Sequence, residues 1–318
     1  MTILVTGAAG FIGSHLCERI LGQGRQVVGL DNFDDFYPPA VKEDNIRGIA
    51  ASPGFKLVRG DIRDKNLIEQ ILKQTPVDTI VHLAAKAGVR PSILDPLGYA
   101  DVNINGTVVL LETARTMGVE KFIFASSSSV YGDNPKVPFS ESDNVDFPIS
   151  PYAATKKAGE LLCHTYHHLY KMNITCLRFF TVYGPRQRPD LAIHKFARLI
   201  EQGKPIPVFG DGSMERDFTY IDDIIDGVAA AMDRCGGCNL YNLGESRPVR
   251  LDALIAELEN ALGKKAVIER LPVQPGDVRR TYADVSRAMR DLGYRPKTVL
   301  AEGLKRFVQW LRENPRKG

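Results

Sequence analysis

Long hydrophobic runs are missing from this sequence of 318 residues: no apolar stretch approaches the roughly 18 residues of a membrane span. The start, MTILVTGAAGFIG, lacks the basic residues and long apolar segment of a secretion signal. An even cysteine set is missing too. Five cysteines in a long chain without an export signal predict reduced thiols and a cytoplasmic location, not a disulfide framework. No sign of charge dominates: 41 Lys and Arg stand against 38 Asp and Glu, a net +3 that is too small and too scattered to predict a nucleic-acid partner. There is no repeat and no low-complexity linker. What is present is ordinary for a globular chain, 44% hydrophobic and 25% charged, which excludes disorder. At about 150 residues per domain the length fits one large or two modest domains.

The first half alternates short β-branched runs with helix-like segments. Ile3–Val5, Val27–Leu30, Lys56–Val58, Thr79–Leu83, Phe122–Ala125 and Ile174–Phe179 read as strands, several of them apolar on consecutive residues. That pattern suits strands buried on both faces, as in a parallel sheet covered by helices. Strand–helix alternation with short links then predicts an α/β fold with a doubly wound parallel sheet. After residue 180 the texture changes. Prolines cluster, Leu251–Leu262 reads as a helix, and Val267–Leu271 as an apolar strand. The expected division is a dinucleotide-binding domain over 1–178 and a smaller mixed α/β substrate domain over 179–318. Within the latter, about 210–245 is expected to return to the first domain, with Asn239–Leu243 joining its sheet.

Gly7, Gly10 and Gly13 sit between the first strand and the first helix, with Phe11 and Ile12 between them. Glycines there permit a tight turn and close approach of backbone to a pyrophosphate at a helix N-terminus. Alone, GxxGxxG is also compatible with a plain structural turn. Position favours the nucleotide: Asp31, followed by Asn32, closes the second strand where an acid can hydrogen-bond ribose hydroxyls. A carboxylate repels a 2′-phosphate and no Arg follows it at once, so NAD is expected as cofactor rather than NADP. Asp61 and Ile62 end the third strand near the adenine, although Asp61 is equally suited to forming a turn. Leu83, Ala84, Ala85 and Lys86 follow the fourth strand, their small residues letting a cofactor lie against the backbone.

Tyr152 has Lys156 four residues later, on one face of the helix predicted over Tyr152–Tyr170. Such a pair is common on exposed helices, but here it follows a dinucleotide turn, a ribose-binding acid and the serine run Ser126–Ser129. With these residues the whole chain resembles the extended short-chain dehydrogenases/reductases of the nucleotide-sugar epimerase group, which implies a Rossmann fold. A tyrosine acting as general base near neutrality must titrate well below its usual value near 10. Burial pushes the wrong way, so positive charge has to win, and Lys156 is expected to supply it. The resemblance further implies that Lys156 holds the nicotinamide ribose, that Ser127 binds the reacting oxygen, and that Ser128 and Ser129 contact substrate.

Related dehydratases carry an Asp-Glu pair just before the VYG segment, and related decarboxylases a Glu; here Ser127–Ser129 precede it, which points to epimerisation. The segment Arg178–Asp190, RFFTVYGPRQRPD, together with Ala87–Arg90, resembles UDP-glucuronate 4-epimerases, whereas neutral-sugar 4-epimerases usually have Asn at the place of Thr181. It departs from the commonest form at Pro91 and Leu191. The implied substrate contacts are Thr181 to a C6 carboxylate, with Arg90, Arg186 and Arg188 as guanidinium forks for carboxylate or diphosphate. For the nucleotide, Lys195, Val208, Phe209, Arg216, Asp277 and either Arg279 or Arg280 are implied. Relatives of this kind dimerise through two helices, here Gly106–Met117 and the Tyr152 helix, so a homodimer is expected. A UDP-glucose or UDP-N-acetylglucosamine 4-epimerase and a non-catalytic NAD(H)-binding regulator are the alternatives. Cys235–Cys238 reads as a glycine turn with two unreactive thiols, since one CxxC supplies only two of four zinc ligands. His164, His167 and His168 read as partly exposed helical side chains, and no metal is expected.

Overall fold

The computed structural model describes residues 1–272 and 278–314. The first half runs β1 (Thr2–Thr6), α1 (Phe11–Gly22), β2 (Gln26–Asp31), α2 (Pro39–Ile46), β3 (Phe55–Arg59), α3 (Lys65–Gln74), β4 (Thr79–His82), α4 (Val89–Leu94), α5 (Pro96–Ala100), α6 (Gly106–Thr116), β5 (Lys121–Ser127), α7 (Pro151–Tyr170) and β6 (Asn173–Phe179). The second continues with β7 (Thr181–Tyr183), α8 (Ala192–Glu201), β8 (Ile206–Phe209), β9 (Glu215–Tyr220), α9 (Ile221–Asp233), β10 (Cys238–Leu243), β11 (Pro248–Arg250), α10 (Leu251–Leu262), β12 (Ile268–Leu271), α11 (Ser286–Leu292) and α12 (Leu300–Glu313). No helix among the described residues is long and apolar enough to cross a membrane.

Every residue of β1 and β4 is buried, which is why their apolar residues are consecutive rather than alternate. Seven strands form one parallel sheet in the order β10-β6-β5-β4-β1-β2-β3. From β1 the chain winds outward through β2 and β3, then returns to β4 and winds the other way. The strand order therefore reverses between β1 and β4, and a crevice opens at their carboxyl ends. Gly7 follows one of these strands and Leu83 the other.

Two devices place the elements that matter. Gly7 adopts a left-handed φ of +70°, and a Cβ at Gly13 would stand 2.0 Å from the Gly7 carbonyl oxygen, so the turn into α1 closes only on glycine. At the start of α7, Ser150 Oγ accepts the Ala153 amide at 3.2 Å and Pro151 occupies the first helical position.

The later elements build a three-stranded mixed sheet, β11-β9-β7, and a two-stranded parallel one, β12-β8. Cys238–Leu243 lies beside β6 as the outer strand of the large sheet, and α9 packs on α1. One apolar cluster runs from Ile3 and Leu16 through Phe180 and Ile224 to Leu254 and Phe307, so the two parts share a core without a linker. The strand expected over Val267–Leu271 starts at Ile268. Its first three residues are exposed, because it pairs only with β8 and has no layer over it.

Gly13→Ala should destabilise the protein by about 1–3 kcal/mol, because the added methyl meets backbone that cannot swing aside. Urea unfolding checks this; an unchanged midpoint would contradict the packing.

Candidate active site

A cleft of about 550 Å³ lies over the reversal point. Its floor is the glycine turn, Phe11 and Ile12, with Asp31 and Asn32 after β2, Asp61 and Ile62 after β3, and Leu83–Lys86 after β4. Its far wall carries Ser127, Tyr152, Lys156, Thr181 and Arg188. α1 begins at Gly10 with no side-chain cap and no acid in its first turn, so its amides and positive dipole end are left for an anion. The Asp31 carboxylate bridges two turns: Oδ2 accepts the Ala9 amide at 3.0 Å and Oδ1 the Phe33 amide at 2.8 Å. An uncapped helix start, a buried carboxylate at the end of β2 and small residues after β4 fit a dinucleotide.

The reactive residues are held from several sides. The Ser127 hydroxyl lies beside the Tyr152 phenol and favours its charged form, and Tyr99 meets the Tyr152 ring edge-on at 6.2 Å. Burial holds the Tyr152 phenol above its ordinary value; Ser127 and Arg188 pull it back only in part. Lys156 follows Tyr152 by one turn of α7. Its ammonium is buried and donates to the Ala125 carbonyl at 2.7 Å, and burial pushes its pKa down to about 8 against the opposing influence of Cys163 and Glu160. Arg188 is a second cation whose charge favours the ionised Tyr152 phenol. Burial works against the Arg188 charge, but two hydrogen bonds to Asp190, at 3.0 and 2.7 Å, more than offset it.

The family model described as NAD dependent epimerase/dehydratase matches residues 3–244. The chain belongs to that family. An uncharacterised protein of Methanocaldococcus jannaschii is 48% identical over 98% of this chain and 96% of its own length. A UDP-glucuronate 4-epimerase of Thermodesulfobacterium geofontis is 45% identical, again over 98% and 96%. Among solved structures, UDP-glucuronic acid 4-epimerase from Bacillus cereus, in complex with UDP-glucuronic acid and NAD, superimposes with a TM-score of 0.93 at 40% identity, covering 98% of this chain and 99% of that one.

Not every residue singled out in this epimerase/dehydratase chain reaches the cleft. Arg186 turns away: it pairs with Glu18 at 2.6 Å and reaches Ser14 at 3.3 Å, both on α1. Val208 is in the apolar core at 1% exposure, so it cannot pack on a base. Its neighbour Phe209 lies instead under the Arg90 guanidinium at 4.5 Å. Ser128 and Ser129 open the short turn after β5, where Ser129 accepts from the Ser127 hydroxyl at 3.1 Å. Lys195 is exposed on α8. Arg216 donates to the Glu215 carbonyl at 2.9 Å, and Arg280 pairs with the Glu215 carboxylate. Asp277 lies outside the described residues. Asp61 lines the cleft, but Arg63 and Asn32 occupy its carboxylate and hold its pKa down to about 2.

Three contributors went unread in the sequence. Tyr99 braces Tyr152, Lys42 donates to the Asp34 carbonyl on the Asp31 side of the cleft, and Asn103 grips both the Lys86 backbone and Thr155. Asn103 lies in a single π-helical turn, Asp101–Asn105, a local irregularity common at functional sites. None of the three stands in a motif, so no pattern marked them. Cys235 and Cys238 are free thiols with raised pKa values, chiefly from burial, and His164 and His168 are exposed. No cluster of three or more metal-ligating side chains occurs among the described residues.

Burial sets a pH signature. Lys156 has a folded pKa of about 8 against an ordinary 10.5, so the folded protein binds fewer protons between those values. Stability therefore rises with pH across that window, and the burden of burying the ammonium is greatest below pH 8. Lys156→Met should gain on the parent more at pH 7 than at pH 10 when unfolding free energies are compared; a gap independent of pH would contradict the assignment.

Proposed function

We propose that this chain interconverts UDP-glucuronate and UDP-galacturonate by NAD-dependent epimerisation at C4. The observation that carries the reading is the meeting, in one cleft, of Tyr152, Lys156 and Ser127 with Thr181 and the Arg188 cation. Relatives and structures of matching length named UDP-glucuronate 4-epimerase support it.

NAD⁺, when bound, supplies a hydride acceptor for C4 and later a donor. The Gly7–Gly13 turn with the α1 amides would hold its pyrophosphate, Asp31 its adenosine ribose, and Lys156 the nicotinamide ribose. Tyr152 takes the proton of the C4 hydroxyl and gives one back after the sugar has turned over, while Ser127 holds the same oxygen. Because burial raises the phenol, Ser127, the Lys156 and Arg188 charges and the positive ring of bound NAD⁺ would act together to free it near neutrality. No residue from Ser127 to Gly132 is acidic, so that segment offers no group to move a proton at carbon, as dehydration or decarboxylation requires.

The 4-keto sugar is a β-keto acid and sheds CO₂ as its carboxylate charge moves into the ring. Holding that charge on C6 with the Thr181 hydroxyl and Arg188 opposes the loss. At the other end, the Arg90–Phe209 stack and the arginines Arg216 and Arg280 at Glu215 offer an aromatic ring and cations for a uracil and a diphosphate, with Lys195 exposed on α8. This divides the labour between residues 1–178 for NAD and mainly 179–318 for UDP-sugar. A homodimer through α6 and α7 is part of the proposal; α7 leaves Leu161 and Leu169 at its surface. A cytoplasmic location is supported by five cysteines that are all free thiols.

Purified protein given UDP-glucuronate should form UDP-galacturonate without added cofactor, as read by chromatography of the nucleotide sugars; accumulation of a UDP-pentose would overturn the reading. Tyr152→Phe should lower turnover by about a hundredfold or more. Thr181→Asn should weaken the preference for acidic over neutral UDP-sugars, and an unchanged ratio of the two rates would remove Thr181 from the carboxylate site.

A further inference from the structure

We infer that Glu160 and Arg178 form a positioning pair that fixes the serine segment against the Tyr152 helix, an inference that rests on the epimerase reading above. Glu160 follows Tyr152 by eight residues and Lys156 by four, which places it on the same face of α7, one turn deeper. Its Oε1 accepts from Arg178 Nε at 2.8 Å and from Ser126 Oγ at 2.6 Å, and its Oε2 from Arg178 Nη2 at 2.8 Å. All three residues are buried, and Ser126 stands directly opposite Arg178 in the β5–β6 pairing.

The chain of contacts continues. The Arg178 guanidinium lies over the Tyr131 ring at 4.7 Å, and Tyr131 donates to Asn242 Oδ1 on β10 at 2.7 Å. Asn242 in turn donates to the Phe139 and Asp284 carbonyls. Ser126 and Tyr131 are therefore pinned at the two ends of a six-residue stretch, and Ser127–Ser129 lie between the pins. One carboxylate thus couples the helix bearing Tyr152 to the segment bearing Ser127.

Stability alone does not explain such a pair. Two charges taken from water are frequently replaced by apolar side chains of similar volume without loss, whereas precise placement of reacting groups has no apolar substitute. Glu160 also stands behind Lys156 and favours its charged form against burial.

The test is the paired variant Glu160→Met/Arg178→Met beside Ser126→Ala, which cuts only the link to β5. Both should keep bound NAD and a KM for UDP-glucuronate within about threefold of the parent. The double variant should lose about a hundredfold in kcat, and Ser126→Ala about tenfold. Parental kcat in both variants overturns the inference. So does a double variant that fails to fold beside a Ser126→Ala variant of parental rate, which makes the pair a stability element only; an unfolded double variant beside a slowed Ser126→Ala supports positioning. A parent chain that turns over no UDP-sugar overturns the epimerase reading itself, and the inference with it.

Discussion

A charged side chain buried beneath a helix has to find its partners in the layer below, and α7 buries two. Lys156 and Glu160 face the sheet at successive turns, and each removal from water is costly unless hydrogen bonds replace the hydration. The sheet meets that demand with the Ala125 carbonyl for the ammonium and with Ser126 and Arg178 for the carboxylate. These contacts leave α7 little freedom to slide or rotate over β5 and β6. Tyr152 is the next turn up, so its place in the cleft follows from the polar satisfaction of the turns beneath it.

The cleft itself has a different origin. A parallel sheet wound outward from β1 in both directions must leave a gap where the two crossovers part, and nothing in that gap needs to be catalytic. What makes it a site is the chemistry delivered there from distant parts of the chain. Arg188 and Thr181 arrive from the segment beyond β6, Tyr99 from α5, and Ser127 from the end of β5. The continuous core beneath both parts gives these contributions a common frame.

Much of this was legible along the chain, because it rests on local patterns. Consecutive apolar residues marked strands buried on both faces; the helix over 152–170 has Ser150 and Pro151 at its start and that over 251–262 has Gly263 at its end; the glycine turn, Asp31 and the Tyr152–Lys156 spacing each fall within or beside one turn of structure. What escaped lacked a local signature. Arg186 and Arg188 are two residues apart with the same side chain, yet a left-handed backbone at Arg186 turns one toward α1 while the other enters the cleft. Val208 and Phe209 are likewise neighbours, one in the core and one under Arg90.

The sequence alone determined the fold class, the winding of the first half and the presence of a dinucleotide turn, since periodicity and steric permissiveness are properties of short segments. Tertiary structure decided which charge acts on which group. Lys156 was placed beside Tyr152 by helical spacing, but its hydrogen bond goes to a strand carbonyl reachable only once β5 lies under α7. Arg188, far away in the chain, adds a second cation whose charge favours the ionised phenol. Electrostatic influence depends on distance and burial, and neither exists until the chain has folded.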